Sequence, residues 1–233
     1  MPALAEREAL QWETACTEPA TGPGKEGKQI TACFMEYLEK AEKSALIIWG
    51  ATYCALGSSQ KYAALISRIE SKLKEGVSIT LVLSWTVFAN EGENALLALI
   101  GKRRMYPGFA VYSWKNALPE PHGIFIDGQR GFLEAYHNET DPSRDILRID
   151  DPEMCGRILR QIQKDLFQNA LGEGNLFQVY SEKSFHLVGS KPEWEESSIY
   201  GATPKRDTSG DKPKNDLLSY LGLKVEERAS PAK

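Results

Sequence analysis

Apolar positions along the chain alternate between the spacing of a helix and that of a strand. From residue 28 to 43 they recur every three or four positions, which is typical of an amphipathic helix with one buried face. The apolar run at 44–50 is typical of a strand buried on both faces. This alternation indicates an α/β domain with a mostly parallel sheet flanked by helices. Further helices are predicted at about 59–76, 94–102 and 152–170, and further strands at 77–84, 109–114, 122–126, 131–136 and 145–149.

Turn-forming and helix-ending residues support these boundaries. Asp127 and Gly128 lie between two apolar runs, where an aspartate–glycine pair is typical of a tight β-hairpin. Gly76 ends the second predicted helix, since glycine suits the C-terminus of a helix. Asp151 and Pro152 suit the N-terminus of the last one. The hairpin adds antiparallel strands, so we expect a mixed sheet.

Composition divides the chain into three parts. Residues 1–27 are predicted to be an N-terminal extension or linker, because residues 14–28 are rich in Gly, Pro and Thr. Residues 28–190 form the predicted α/β domain. Residues 191–233 are rich in Pro, Ser and Lys, which predicts a disordered tail with one short helix at 215–223 as a docking element. No internal repeat is apparent, so we expect a single copy of the domain.

Charge and rare residues exclude several classes of protein. A net charge of -4 over 233 residues argues against coating nucleic acid electrostatically, although it leaves a local basic groove open. Four cysteines without a C-x-x-C pair and three histidines predict no metal site, redox motif or cofactor. No signal-peptide pattern is present, and the longest weakly polar run, 45–57, is shorter than the roughly 20 residues that span a bilayer. We therefore expect a soluble cytoplasmic protein without a membrane span.

Three segments together resemble the phospholipase D superfamily. The segments ALIIWG and YAALISRIESKLKEGVSITLVLS resemble the strand, helix and strand that open those domains. The hairpin EPHGIFIDGQRGFLEAYHN lies where the superfamily places its H-x-K-x4-D-G motif and the following G-S-x-N. The segment DILRIDDPEMCGRILRQIQKDLF is similar to its closing strand and helix. The resemblance covers about residues 28–170 and implies a phospholipase D-like fold.

The resemblance also implies roles for residues before the turn. Alignment on Asp127-Gly128 places Glu120 at the family's nucleophilic histidine, His122 at its lysine and Asp127 at its aspartate. A second register takes His122 as the nucleophile and puts Ile124 in place of the lysine. The motif lysine is missing in both registers.

Beyond the turn, the resemblance assigns the second strand of the hairpin to the G-S-x-N segment. Glu134, Ala135 and His137 fall at its Gly, Ser and Asn positions. Glu120 and His122 are two residues apart, so they share one face if the strand reaches them. The candidate catalytic residues are therefore His122 and Asp127, and the candidate binding residues are Glu120, Glu134 and His137.

The altered motif changes the expected chemistry. In the family one histidine attacks phosphorus, a partner protonates the leaving oxygen, and lysines and asparagines hold the phosphate charge. Phosphoryl transfer depends mostly on such positioning and charge stabilisation. Glu120 at the nucleophile position would repel a phosphodiester, and a protonated His122 supplies only one positive charge in place of the lysines.

Three hypotheses for function follow. The first is a degenerate phospholipase D-like domain that binds a ligand or regulates, without phosphodiesterase activity. The second is an active phosphodiesterase or nuclease that uses His122 with atypical partners. The third is an interaction scaffold that works through the tail beyond residue 191. Because family members with one motif per chain assemble their site across a two-fold axis, the resemblance implies a homodimer, with a phosphate-containing ligand or nucleic acid as partner.

Aromatic residues near strand ends leave one further question open. Trp49, Trp85 and Trp114 lie at or near the ends of predicted strands. Ligand crevices of open α/β sheets form outside the carboxyl ends of strands, so these rings could line a pocket. They could equally pack in the core, as large aromatic side chains generally do.

Overall fold

The computed structural model describes residues 10–16, 28–49, 60–84, 95–114, 122–135, 143–170, 176–178, 197–198, 201–202 and 217–221. The strands are β1 (Leu10–Cys16), β2 (Lys28–Gln29), β3 (Ser44–Trp49), β4 (Ser78–Ser84), β5 (Phe109–Trp114), β6 (Gly123–Ile126), β7 (Arg130–Glu134), β8 (Ser143–Ile149), β9 (Leu176–Gln178), β10 (Ser197–Ser198) and β11 (Gly201–Ala202). The helices are α1 (Ile30–Lys40), α2 (Gln60–Lys74), α3 (Ala95–Gly101) and α4 (Pro152–Gln163), with a 3-10 turn at Arg103–Met105 and a π-helix at Lys164–Ala170 that continues α4.

The strands β1 to β9 form one mixed sheet in the order β2-β1-β8-β7-β6-β3-β4-β5-β9. Strands β3, β4 and β5 are parallel, with α2 and α3 in their connections. The pairs from β3 across to β1 are antiparallel, and so is the pair of β5 with β9. The predicted α/β sheet flanked by helices is confirmed. It is less parallel than expected, because the hairpin and the strands beside it extend one side of the sheet by antiparallel pairing.

Helix boundaries follow the local signals in the sequence. Gly76, just after α2, has a φ of 90°, the left-handed conformation that glycine adopts easily. The side chain of Asp151 accepts a hydrogen bond from the backbone N–H of Met154 at 2.7 Å and so caps the N-terminus of α4. None of the described helices is long and apolar enough to cross a membrane.

The sheet begins before the expected domain boundary at residue 28. Strand β1 lies within the predicted extension, yet it pairs with β8 along its whole length. Its sequence, LQWETAC, alternates weakly between apolar and polar residues. Strand formation there depends on the partner strand more than on intrinsic preference, which is why the sequence pattern alone did not predict it.

Arg148 of β8 links strand β1 to helix α1 through two ion pairs. Its guanidinium group lies 2.7 Å from the carboxylate of Glu13 on β1 and 3.4 Å from that of Glu36 on α1. The same group lies over the ring of Tyr37, 5.6 Å from the ring centroid. A largely buried arginine is thereby balanced by two carboxylates and an aromatic face.

Side chains of the sheet alternate between two covered faces. The first face packs against α1, α2 and α3, and the second packs against α4 and the π-helix. On β3, Ala45, Ile47 and Trp49 belong to the first face, whereas Leu46 and Ile48 belong to the second. Coverage on both sides explains why β3 is an almost continuous apolar run.

A helical turn from the predicted tail packs on the second face. Residues 217–220 are helical, within the short helix expected at 215–223. Leu217 is fully buried and Leu221 is 8% exposed, and both join the apolar cluster formed with α4. This part of the predicted disordered tail therefore belongs to the folded unit.

The strand glycines of the β6–β7 hairpin, Gly123 and Gly131, occupy positions where a side chain does not fit. A Cβ atom on Gly123 would lie 2.1 Å from the carbonyl oxygen of Phe132, which is backbone and cannot move aside cheaply. We expect Gly123→Ala to lower the free energy of unfolding by about 3 kcal/mol or more, since the neighbouring strand must shift. Urea denaturation followed by circular dichroism measures this loss.

Gly101 at the end of α3 provides the matched control. A Cβ atom there would meet no atom within 4 Å. Because alanine is favoured over glycine in helices, Gly101→Ala should leave stability unchanged or raise it slightly. Similar losses from the two substitutions would contradict the packing described for Gly123.

Candidate functional site

The predicted turn between β6 and β7 is present. Asp127 and Gly128 have φ values of 55° and 67°, both in the left-handed region that these residue types tolerate. The backbone N–H of Gln129 donates to the carbonyl oxygen of Ile126 at 3.0 Å and closes the turn.

The Asp127 carboxylate is held by the backbone of the loop before β3. Its Oδ1 atom accepts hydrogen bonds from the N–H groups of Lys43 at 2.7 Å and Ser44 at 2.8 Å. Its Oδ2 atom accepts from the N–H group of Glu42 at 3.0 Å. In return, the backbone N–H of Asp127 donates to the carbonyl oxygen of Ser44 at 2.9 Å. Four hydrogen bonds therefore join the hairpin turn to the start of β3.

These bonds give Asp127 a structural role. Partial burial raises the pKa of its carboxyl group, but the N–H donors of Ser44, Glu42 and Lys43 outweigh that effect, so the pKa lies below its usual value. Asp127 and His122 lie at opposite ends of β6, roughly 15 Å apart at the rise of an extended strand. The Asp127 carboxylate is occupied by backbone donors at the end of β6 away from His122, and its catalytic role stays a prediction.

His122 and Glu134, in contrast, are brought together. The backbone N–H of Glu134 donates to the carbonyl oxygen of His122 at 2.7 Å, which continues the β6–β7 pairing by one residue. Directly opposed residues on antiparallel strands have Cβ atoms about 5 Å apart on the same face. Both side chains are buried, at 5% exposed for His122 and 7% for Glu134. The structure thus places a candidate catalytic residue beside a candidate binding residue.

One aromatic residue borders this pair on the first face of the sheet. Alternation from Ile124 and Phe132, which belong to the first-face cluster, puts His122 and Glu134 on that same face. Continuing the β3–β6 register by one residue places Trp49 opposite His122.

The question left open for Trp49 is answered by its packing. Its ring is stacked on that of Phe34 of α1, with centroids 5.2 Å apart and an interplanar angle of 10°. Trp49 therefore packs in the core and also borders the His122–Glu134 pair. The sequence feature that indicates this core position is the period-two spacing of Ala45, Ile47 and Trp49 along β3, which puts all three side chains on one face. Trp85 and the side chain of Trp114 lie outside the described part of the chain.

The chemistry available here is that of one imidazole beside one carboxylate. A carboxylate next to a histidine orients the ring and stabilises its protonated form. Of the residues that the described strand registers place next to His122, none is a lysine or arginine. Glu120 and His137, the two other candidate binding residues, lie outside the described residues. Within the described residues no group of three or more His, Cys, Asp or Glu side chains is arranged to hold a metal ion.

A concavity of about 440 Å³ lies at the other end of β6, around the hairpin turn. It contains two cationic side chains, but Lys40 already forms an ion pair with Glu36 at 2.9 Å. Two carboxylates in its wall balance the cations, so the concavity offers no net attraction for a phosphate group. Its lining residues are Lys40, Glu42, Ile126, Asp127, Gln129 and Arg130.

A scan against models of protein families gave no match, and a search of curated proteins gave none either. Several solved structures are similar to the chain. Phosphatidylserine synthase from Haemophilus influenzae Rd KW20 is 16% identical, with a TM-score of 0.48, and the match covers 75% of this chain and 41% of the synthase. Nuc from Salmonella typhimurium, a phospholipase D family member, is 11% identical, with a TM-score of 0.45, and the match covers 74% of this chain and 99% of Nuc.

A third similar structure is that of TrmBL2, an archaeal chromatin protein. It is 10% identical, with a TM-score of 0.45, and the match covers 67% of this chain and 51% of TrmBL2. The chain thus spans less than half of the synthase, about half of TrmBL2 and nearly all of Nuc. The α/β sheet flanked by helices that the sequence predicts is confirmed by the described elements themselves. Likeness at these identities and TM-scores assigns no role to any residue.

The hydrogen bonds of Asp127 lead to a prediction about stability and pH. Asp127→Asn keeps a side chain that tolerates a positive φ, but it loses the charge and one acceptor oxygen. We expect a loss of about 1.5 to 3 kcal/mol in the free energy of unfolding at neutral pH. A lowered pKa contributes stability that is present above the unfolded-state value, about 3.9, and is lost as pH falls through the folded-state value.

Urea denaturation at pH 7, 5 and 3 measures this dependence. The difference between wild type and Asp127→Asn should be the same at pH 7 and 5 and should shrink below about pH 4. Asp150→Asn, at an exposed position, controls for removing a negative charge and should change stability by less than about 0.5 kcal/mol. A difference that grows as the pH falls would contradict the assigned role of Asp127.

Proposed function

We propose that the chain is a phospholipase D-like module that binds a phosphate-containing ligand or nucleic acid without hydrolysing it, and that it acts as a homodimer. The observation that carries this proposal is the buried pairing of His122 with Glu134. At the position where phosphodiester cleavage requires a concentration of positive charge, the described residues supply one imidazole and one carboxylate.

The charge of the pair argues against hydrolysis. Enzymes that cleave phosphodiesters stabilise the negative charge that spreads over the phosphate oxygens in the transition state. A protonated His122 beside an ionised Glu134 has no net charge, so it provides little of that stabilisation.

Access to the histidine supports the same conclusion. A nucleophilic imidazole has to reach phosphorus in line with the leaving oxygen, at about 3 Å. His122 is 5% exposed and lies between Glu134 and Trp49 in the strand registers. Approach in line would require the side chains around it to move.

The dimer is part of the proposal because one chain contributes one His122. In a two-fold symmetric dimer the same surface of each copy meets its equivalent, so two copies could bring two histidines to one site. A site shared in this way would also place two Glu134 side chains nearby, and their negative charge would disfavour the charge that develops on phosphate oxygens during cleavage.

The alternative is a phosphodiesterase that uses His122 with atypical partners. The arrangement that favours it is the carboxylate of Glu134 directly opposite the histidine, since a histidine oriented by a carboxylate is a recurring catalytic device. Hydrolysis by such an enzyme then requires positive charge from groups other than His122 to stabilise the phosphate oxygens in the transition state.

Assays on the purified chain distinguish the two functions. We expect no turnover of bis(4-nitrophenyl) phosphate or of a single-stranded oligonucleotide. We also expect the labelled oligonucleotide, or phosphate in competition with it, to bind more weakly by about tenfold when His122→Gln removes the protonatable ring. Fluorescence anisotropy measures the binding, and absorbance of released nitrophenolate measures turnover.

Arg160→Ala is the control for both assays, because Arg160 is exposed on α4 on the second face of the sheet. It should bind as the wild type does. If the wild type and Arg160→Ala show turnover and His122→Gln does not, the chain is a phosphodiesterase instead. Absence of both binding and turnover would reject the ligand-binding module.

Sedimentation velocity tests the dimer. The monomer has a mass of 26.0 kDa, and we expect a species of twice that mass at tens of micromolar protein. A monomer throughout that range would rule out the homodimer while leaving the binding assay unaffected.

A further inference from the structure

A helical turn at residues 217–221 packs on the second face of the sheet. In residues 217–221, Leu217 and Leu221 are one helical turn apart, and the N–H of Leu221 donates to the carbonyl oxygen of Leu217 at 3.0 Å. Both leucines are buried against the α4 cluster, and Leu218 and Tyr220 pack partly against it. Ser219 points to solvent. The turn therefore presents one apolar side to the domain, as amphipathic helices do when they bind in grooves.

A polar contact fixes the position of this turn on the second face. The hydroxyl group of Tyr220 donates to Oδ2 of Asp165 at 2.5 Å. Burial and the hydrogen bond to Asp165 both raise the pKa of Tyr220, so the hydroxyl keeps its proton at physiological pH. A buried tyrosine with a partner for its hydroxyl combines apolar area with directional specificity.

The receiving surface is shaped by the change from α4 to the π-helix. Wide helical turns of this kind are rare and occur frequently at functional sites. Within the π-helix, Asp165 binds Tyr220 and Leu166 is buried in the same cluster as the two leucines of the turn. On α4 itself, Ile158 and Ile162 complete the apolar floor.

The position of the turn in the sequence distinguishes it from an ordinary core element. Residues 179–216 separate it from β9, the preceding strand of the main sheet. Within that interval the described strands, β10 and β11, pair with each other and not with the main sheet. The contacts of the turn with the domain thus come from a few side chains at the end of a long connection.

We propose that the surface formed by α4 and the π-helix is a binding groove for a short amphipathic helical turn with leucine, tyrosine and leucine at positions i, i+3 and i+4, and that residues 217–221 occupy it as a detachable ligand from the same chain. Release of the segment uncovers the apolar floor at Ile158, Ile162 and Leu166. This inference does not depend on the function proposed for His122, since the groove lies on the opposite face of the sheet.

Recognition of the segment supplied as a separate peptide tests the proposal. The full chain with Leu217→Asp and Leu221→Asp should release its own segment, because burying two carboxylates in an apolar groove is strongly unfavourable. A fluorescein-labelled peptide of residues 214–224 should then bind this variant at least tenfold more tightly than it binds the wild type, whose groove is occupied. Fluorescence anisotropy measures both affinities, and circular dichroism confirms that the variant keeps its secondary structure.

Peptide variants test the contacts one at a time. Replacing Tyr220 by phenylalanine in the peptide should weaken binding about fivefold, through loss of the hydrogen bond to Asp165. Replacing the exposed Ser219 by alanine is the matched control and should leave the affinity unchanged. If the double aspartate variant does not fold, the full chain with Tyr220→Phe replaces it, with an expected affinity for the peptide between those of the wild type and a vacated groove.

Three results would overturn the proposal. Equal peptide binding by the wild type and the released variant would mean that the peptide binds elsewhere. Absence of binding by a folded released variant would mean that the turn is an integral part of the core. If the wild type is a dimer and the Leu217→Asp, Leu221→Asp variant is a monomer, the segment binds to a second copy and not to its own chain.

Discussion

The position of the β6–β7 hairpin depends on the hydrogen bonds between Asp127 and the loop before β3. Two carboxylate oxygens take up three backbone N–H groups, and a fourth bond runs in the opposite direction. Because β6 is antiparallel to β3, fixing the turn at one end of the strand sets the register at the other. A slip of one residue would turn His122 and Glu134 to the other face of the sheet. The backbone contacts of Asp127 thus help to set the geometry around His122 and Glu134.

The electrostatics of the site follow from how cations are used elsewhere in the domain. Arg148 projects from the same face as Glu134, on the neighbouring strand, but its guanidinium group is bound by Glu13 and Glu36. Its charge stabilises the attachment of β1 and α1 and does not offset Glu134. The described strand registers place no lysine or arginine next to His122, and this is the physical reason for proposing binding over phosphodiester cleavage.

The two faces of the sheet are completed by different means. On the first face, helices from the β-α-β connections cover the strands, so adjacency along the chain provides the contacts. On the second face, α4 and the π-helix leave an apolar surface that a distant turn at residues 217–221 covers. Such a contact costs more chain entropy to form than one between neighbouring elements, and it is correspondingly easier to exchange for another segment.

The sequence by itself determined the elements from residue 28 to 170 and their α/β arrangement. Helical periodicity, the apolar run of β3 and the Asp127-Gly128 turn are local signals, and local interactions produce the structures that they predict. It also identified His122 and Glu134 as site candidates, through family resemblance.

Tertiary structure decided the rest, because the deciding interactions join distant residues. Strand β1 forms by pairing with β8, Asp127 is occupied by backbone groups some 80 residues earlier, and Trp49 reaches the site only through strand register. The turn at 217–221 is apolar on one side in sequence, but only its contacts with Asp165 and Leu166 show where it binds. Periodicity identifies which residues will be buried, while the partner that buries them is set by packing across the whole chain.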